Sequence, residues 1–194
     1  MLKITGTKIN KKLIDKKVLN SKTYGRKAFE RVNNRVKRAQ DQFRKDFEGH
    51  PITSEIDAGP NAENTSNTLS GYGNLYSFIG FMEGSNPLSA ARKLVNSKIK
   101  IHASRKHNFI EYSISAPSLD DFESTTRMPY EAGNSWMRML ELGMTSFSFY
   151  MFKKWKSSRS GKGIQINNML RGASSKPTPY ITEILRNFRK RLLQ

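Results

Sequence analysis

The sequence predicts an α+β fold: a small antiparallel sheet flanked by a long N-terminal helix and a C-terminal amphipathic helix, with long loops and a basic N-terminal arm. Three observations carry that expectation. Between Lys22 and Glu48 the apolar residues Phe29, Val32, Val36, Ala39, Phe43 and Phe47 recur at steps of three and four, which gathers them on one stripe of a helix. Ile99, Ile101 and Ala103, and then Ile110, Tyr112 and Ile114, alternate with polar residues on either side of a polar turn at 105–108, as in a β-hairpin with one buried face. Near the end of the chain Thr178 and Pro179 lead into Ile181, Ile184, Leu185, Phe188 and Leu192, again on one helical face.

The intervening elements follow in order. Residues 1–20 hold scattered apolar residues among many lysines and read as a basic arm preceding a single domain at 21–194. Gly49 and Pro51 supply a cap and a stop for the first helix. Residues 51–74 are crowded with Asn, Ser, Thr, Gly and Pro, so a long loop is expected near 57–73, after a short strand near Ile52–Ile56. The run LYSFIGF at Leu75–Phe81 reads as a buried strand, and Ser85, Asn86 and Pro87 as the entry to a short helix bearing Leu88, Ala91, Leu94 and Val95. An acidic, irregular stretch is expected at 117–129, strands near Trp136–Leu142 and Ser146–Phe152 pivoting on Gly143, a basic loop at 153–162, and a short strand near Gly163–Leu170.

Composition narrows the function classes. The chain of 194 residues carries 34 Lys and Arg against 16 Asp and Glu, a formal charge of +18, which attracts polyanions or acidic protein surfaces and opposes self-association at low salt. Only 36% of residues are hydrophobic and mean hydropathy is −0.66, so part of the chain is expected to wait for a partner to cover it. The absence of cysteine removes disulfides, thiolate zinc sites and cysteine nucleophiles. The start lacks the apolar block of a signal peptide and no segment reaches the length of a membrane span, so the expectation is synthesis in the cytoplasm and no membrane partner.

Catalytic parts are hard to assemble. His50, His102 and His107 have no metal-ligand company, SRSGKG lacks the spacing of a phosphate-cradling loop, and Asp120, Asp121 and Glu123 suit a solvated turn or an intermolecular ion pair better than a two-metal site. No catalytic, cofactor-binding or metal residue is assigned, no cofactor is expected, and the chain is expected not to be an enzyme. Lys11, Lys12, Lys16, Lys17, Arg35, Lys37 and Arg38 are the residues that would meet DNA or an acidic surface. In the absence of a helix-turn-helix, zinc-finger or RNP-type pattern, such binding would be to the backbone, and a nonspecific nucleic-acid-binding protein is the alternative function. Contacts to protein partners are expected at Tyr72, Leu75, Tyr76 and Phe78 beside the polar loop, and at Trp155 and Arg159 in the basic loop, with core packing as the competing role of the strand residues.

Two phrases suggest a family. MLELGMTSF at Met139–Phe147 is similar to an apolar-x-glutamate-apolar-glycine-threonine stretch, and KPTPYITEILRNF at Lys176–Phe188 to a proline-led, aromatic-containing entry to a last helix, both found in the tail-completion and head-tail joining proteins of long-tailed bacteriophages. The resemblance runs with interruptions from about Thr23 onward; Met144 departs from the family's threonine, and 117–129 has no counterpart in it. It implies that the first phrase ends a strand at the rim of the sheet and that the second docks the last helix against it. It further implies a virion protein of the neck, repeated in a homo-oligomeric ring, most often a hexamer. Such a ring closes the tail tube, meets neighbouring neck, connector and tail-tube proteins, and lets DNA pass through or near it. A head-to-tail ring needs two different patches per subunit, for which the basic helices and the acidic loop at 120–123 are the candidates.

Overall fold

The computed structural model describes residues 2–6, 21–69, 74–106, 109–129, 131–143 and 177–193, with backbone alone at 2–6, 131 and 132. It is a mixed α+β fold in which a long N-terminal helix and a C-terminal helix flank two small antiparallel sheets. The long helix α1 spans Lys22–Glu48. Its stripe is buried at Val36, Ala39, Phe43 and Phe47, and fades toward the N-terminus, where Phe29 stays 41% exposed and tilts against Tyr112 with ring centroids 6.4 Å apart.

Gly49 ends α1, its N–H donating to the Lys45 carbonyl at 2.9 Å. Pro51 then opens a second helix, α2 (Pro51–Asp57), where a strand near Ile52–Ile56 was expected. Proline costs nothing at a first helical position because that N–H has no acceptor within the helix. The next donor is satisfied by His50, whose Nδ1 accepts from the Ile52 N–H at 3.3 Å, and Ile52 and Ile56, one turn apart, are both buried. Partial burial holds the His50 imidazole below its ordinary pKa, against a smaller opposing pull from Glu183.

A second correction falls on LYSFIGF. Helix α3 (Leu75–Ile79) stands in place of the strand, because both of its ends are capped. The Asn74 side chain accepts from the Ser77 N–H at 2.8 Å, and Gly80 leaves the helix in the left-handed conformation at φ 82°, which disfavours any residue with a Cβ. Helix α4 (Ser89–Val95) lies where a short helix was expected, but begins beyond Ser85–Pro87 and buries Ala91 and Val95. Ser85 instead meets the Tyr76 hydroxyl at 2.9 Å.

The predicted hairpin forms from β2 (Lys100–Arg105) and β3 (Ile110–Ala116), with Ile101 opposite Ile114, but only β3 buries its alternating face, and Ala103 of β2 is exposed. Ile110, Tyr112, Ile114 and Ala116 face inward. A third strand, β1 (Leu2–Gly6), pairs antiparallel with the other edge of β3, Leu2 opposite Ala116, so the first residues of the basic arm belong to the sheet.

The acidic stretch is structured too. Ser118 caps α5 (Leu119–Thr125) through a capping box with Asp121, and β4 (Arg127–Met128) pairs with β5 (Glu131–Ser135). A helix, α6 (Trp136–Leu142), replaces the strand expected at those residues: Ser135 Oγ accepts from the Arg138 N–H at 3.3 Å, and Trp136, Met137 and Leu140 are buried at helical spacing. The strands expected at 146–152 and 163–170 and the basic loop at 153–162 lie outside the described residues. The C-terminal helix α7 (Ile181–Leu193) buries Ile181, Ile184, Leu185, Phe188 and Leu192, the whole predicted face.

The core gathers where the two long helices meet. Phe43 of α1 lies 4.8 Å from Phe188 of α7 and 6.5 Å, edge-on, from Phe122 of α5. Tyr180, fully buried just ahead of α7, lies 6.2 Å from Phe47, 6.3 Å from Trp136 and 4.7 Å from His50.

Candidate functional site

The first candidate surface is the outside of α1. Each carboxylate on this helix already has a cation: Glu30 lies 3.9 Å from Arg26, Asp41 3.5 Å from Arg44, Glu48 2.8 Å from Arg92, and Asp46 holds Arg191 of α7. Lys27, Arg31, Arg35, Lys37, Arg38 and Lys45 are exposed and have no ion pair among the described residues. Of the cations predicted to meet an anionic partner, Arg35 and Arg38 share one side of α1. Lys37, two residues from Arg35, is turned about 200° away from it by the helical repeat. Lys11, Lys12, Lys16 and Lys17 lie outside the described residues.

The acidic patch is largely used within the chain. Asp121 accepts from the Ser118 N–H and hydroxyl, both at 2.8 Å, which hold its carboxyl below the usual carboxylate range. Glu123 pairs with Arg138 at 2.6 Å. Only Asp120 is left open on this helix, so the stretch at 120–123 serves α5 and its neighbour α6 and is not the free acidic loop that was expected. No group of His, Cys, Asp and Glu among the described residues could hold a metal ion, and no helix among them is long and apolar enough to cross a membrane.

The predicted aromatic contacts need correcting. Leu75 and Tyr76 are core residues, 0% and 2% exposed. The ring of Tyr76 packs on Phe81 at 5.4 Å, and its hydroxyl donates to the Met82 carbonyl. Phe78 is half-buried against the core. Their burial follows from α3 being a helix with its apolar residues turned inward. Tyr72, Trp155 and Arg159 lie outside the described residues.

The second candidate site joins the two phrases noted in the sequence. Glu141, near the end of α6, receives the Thr182 N–H at 2.7 Å and the Tyr180 N–H at 3.2 Å on Oε1, while the Thr182 hydroxyl donates to Oε2. A helix start exposes backbone donors that its own turns cannot satisfy, and here a carboxylate from another helix satisfies them. The phrase around Glu141 is therefore a helix capping a helix, where the resemblance implied a strand at a sheet rim with the last helix docked against it; α7 packs along α1 instead, and residues 144–147 lie outside the described residues. The Tyr180 hydroxyl shares a hydrogen bond with Thr53 Oγ1 of α2 at 2.7 Å, and burial pushes the phenol well above its ordinary pKa.

A third carboxylate went unnoticed in the sequence. Glu55 of α2 is 1% exposed and accepts the Leu75 N–H at 2.7 Å and the Ser66 N–H at 3.0 Å, so it pins both the polar segment after α2 and the start of α3. Asn74 adds a bond to the Pro60 carbonyl at 2.7 Å. The expected long binding loop is thus, over residues 58–69, tied back to the domain. One signal was available for Glu141, which sits among apolar residues in MLEL where a carboxylate gains from nearby donors, whereas Glu55, after Thr53 and Ser54 in TSEI, carried none.

Replacing Glu141 by alanine is expected to cost about 2 kcal/mol of stability, the loss of a charged hydrogen-bond acceptor serving a helix N-terminus, and glutamine about half of that. Native-state hydrogen exchange provides the check: the Tyr180 and Thr182 amides should exchange roughly 30-fold faster in Glu141→Ala, and unchanged rates would refute the capping role.

Taken together, these features define the class: an α+β domain in which the buried Glu55 and the half-buried Glu141 organise backbone from distant segments and whose longest helix presents cations without ion pairs among the described residues. Comparison with protein-family models, with curated proteins and with solved structures returned no match to the chain.

Proposed function

We propose that the chain is a structural subunit of the neck of a long-tailed bacteriophage, one that assembles with copies of itself into a ring completing the tail and joining it to the head connector. The observation that carries this reading is the joint at Glu141. The two stretches that resemble the tail-completion family, Met139–Phe147 and Lys176–Phe188, are distant in sequence, and Glu141 of the first caps the helix that the second opens.

The charge of +18 should keep isolated subunits apart at low ionic strength and let them associate as salt screens it. Light scattering across a salt series tests this. The expected result is a 22.2 kDa monomer at low salt that converts, near 1 M salt where the screening length falls to about 3 Å, to a closed oligomer visible as a ring by negative-stain microscopy. A chain that stays monomeric at every salt and concentration, or grows without limit into open aggregates, counts against the ring.

A further inference from the structure

We infer that the outer face of α1 carries a binding strip for double-stranded DNA, formed by Lys27, Arg31, Arg35 and Arg38. The strip belongs to a single subunit and does not rest on the ring reading. These side chains are exposed, and steps of four, four and three residues place them about 6, 6 and 4.5 Å apart along the helix axis, within about a quarter of its circumference. Neighbouring like charges at that spacing destabilise a free helix, and no carboxylate of α1 is ion-paired with these four: Glu30, Asp41, Asp46 and Glu48 lie beside Arg26, Arg44, Arg191 and Arg92. In the free domain solvent and mobile ions screen these four cations, and a polyanion can displace those ions.

Three features select duplex DNA as that polyanion. Between Lys27 and Lys45 the other residue within this arc is Gln42, with Asn34 and Ala28 at its two margins, so no large apolar side chain interrupts it. A protein interface needs an apolar centre, whereas phosphate contacts need only donors and positive charge. Between Lys27 and Arg38 no aromatic residue stands on this arc, Tyr24 lying one turn ahead of it, so the strip lacks the row of aromatics on which single strands stack. Finally, α1 is an unbroken helix of 27 residues, about 40 Å long, that can lie along a stiff duplex bearing one charge per ~1.7 Å.

The test compares the 194-residue chain with two fourfold variants, Lys27→Gln/Arg31→Gln/Arg35→Gln/Arg38→Gln and, as an equal charge removal elsewhere, Lys93→Gln/Lys98→Gln/Lys100→Gln/Lys106→Gln. Affinity for a 20-base-pair duplex is measured by fluorescence anisotropy over a salt series. Each lost phosphate contact lowers the salt slope by about 0.9, so the α1 variant should lose about 3–4 from the slope and the control less than 1. The α1 variant should also melt at the same or a slightly higher temperature, because a self-repelling row has been removed. Equal slopes in the two variants would reduce the effect to overall charge, and an unchanged slope in the α1 variant, or no duplex binding by the native chain, would overturn the strip. Binding of a 20-nucleotide single strand as tight as that of the duplex would overturn the choice of duplex DNA.

Discussion

Truncating Tyr180 to alanine is expected to remove about 4 kcal/mol of folding stability, the range for deleting a buried aromatic ring. The ring is fully buried and touches three elements through Phe47, His50 and Trp136, so no single neighbour can collapse into the space. Tyr180→Phe separates packing from hydrogen bonding: it keeps the ring, leaves Thr53 Oγ1 without its phenolic partner, and should cost only about 1 kcal/mol. Urea denaturation of both variants measures the split. Equal losses would mean that the hydroxyl, and not the ring, holds the entry to α7 in place.

The second large effect is expected at Glu55. Alanine there strands the Leu75 N–H and the Ser66 N–H together, and about 3 kcal/mol should be lost. Glutamine is a poor substitute, since its single carbonyl oxygen can serve one of the two donors while its NH2 group opposes the other. The consequence is local as well as global: limited proteolysis should cut Glu55→Ala within residues 58–69 well before the native chain. A variant with native stability and native cleavage would show that the segment is held by other contacts, such as the Asn74 bond to Pro60.

These two residues also show where sequence reasoning stops. The 27-residue helix α1, the β2–β3 hairpin and the face of α7 were legible because each repeats its pattern over several turns or along both strands, and packing had no cause to override it. The short segments were misjudged. Leu75–Phe81 is an almost continuous apolar run, which periodicity cannot assign to helix or strand, and the decisive signals were its ends, Asn74 and Gly80. Trp136–Leu142 likewise carries Ser135 at its start and Gly143 at its end, and Ser118 with Asp121 writes a capping box into what read as an irregular acidic stretch. In the first two, capping chemistry outweighed β propensity over a few residues, and in the third it set a helix where no regular element was expected.

The candidate site divides the same way. The amino-acid sequence by itself determined the large positive charge, the lack of cysteine chemistry, and the stripe that buries one side of α1 and leaves its cations outside. Only the tertiary structure decided which of those cations remain unpaired, because Asp46 and Glu48 are neutralised by Arg191 and Arg92 from other helices. It also decided that Leu75 and Tyr76 are core residues, and that Glu55 and Glu141 serve backbone donors far along the chain. The physical reason is range. Charge and periodicity act between residues close in sequence, whereas an ion pair or a capped helix start depends on which distant segments folding brings within about 3 Å of one another.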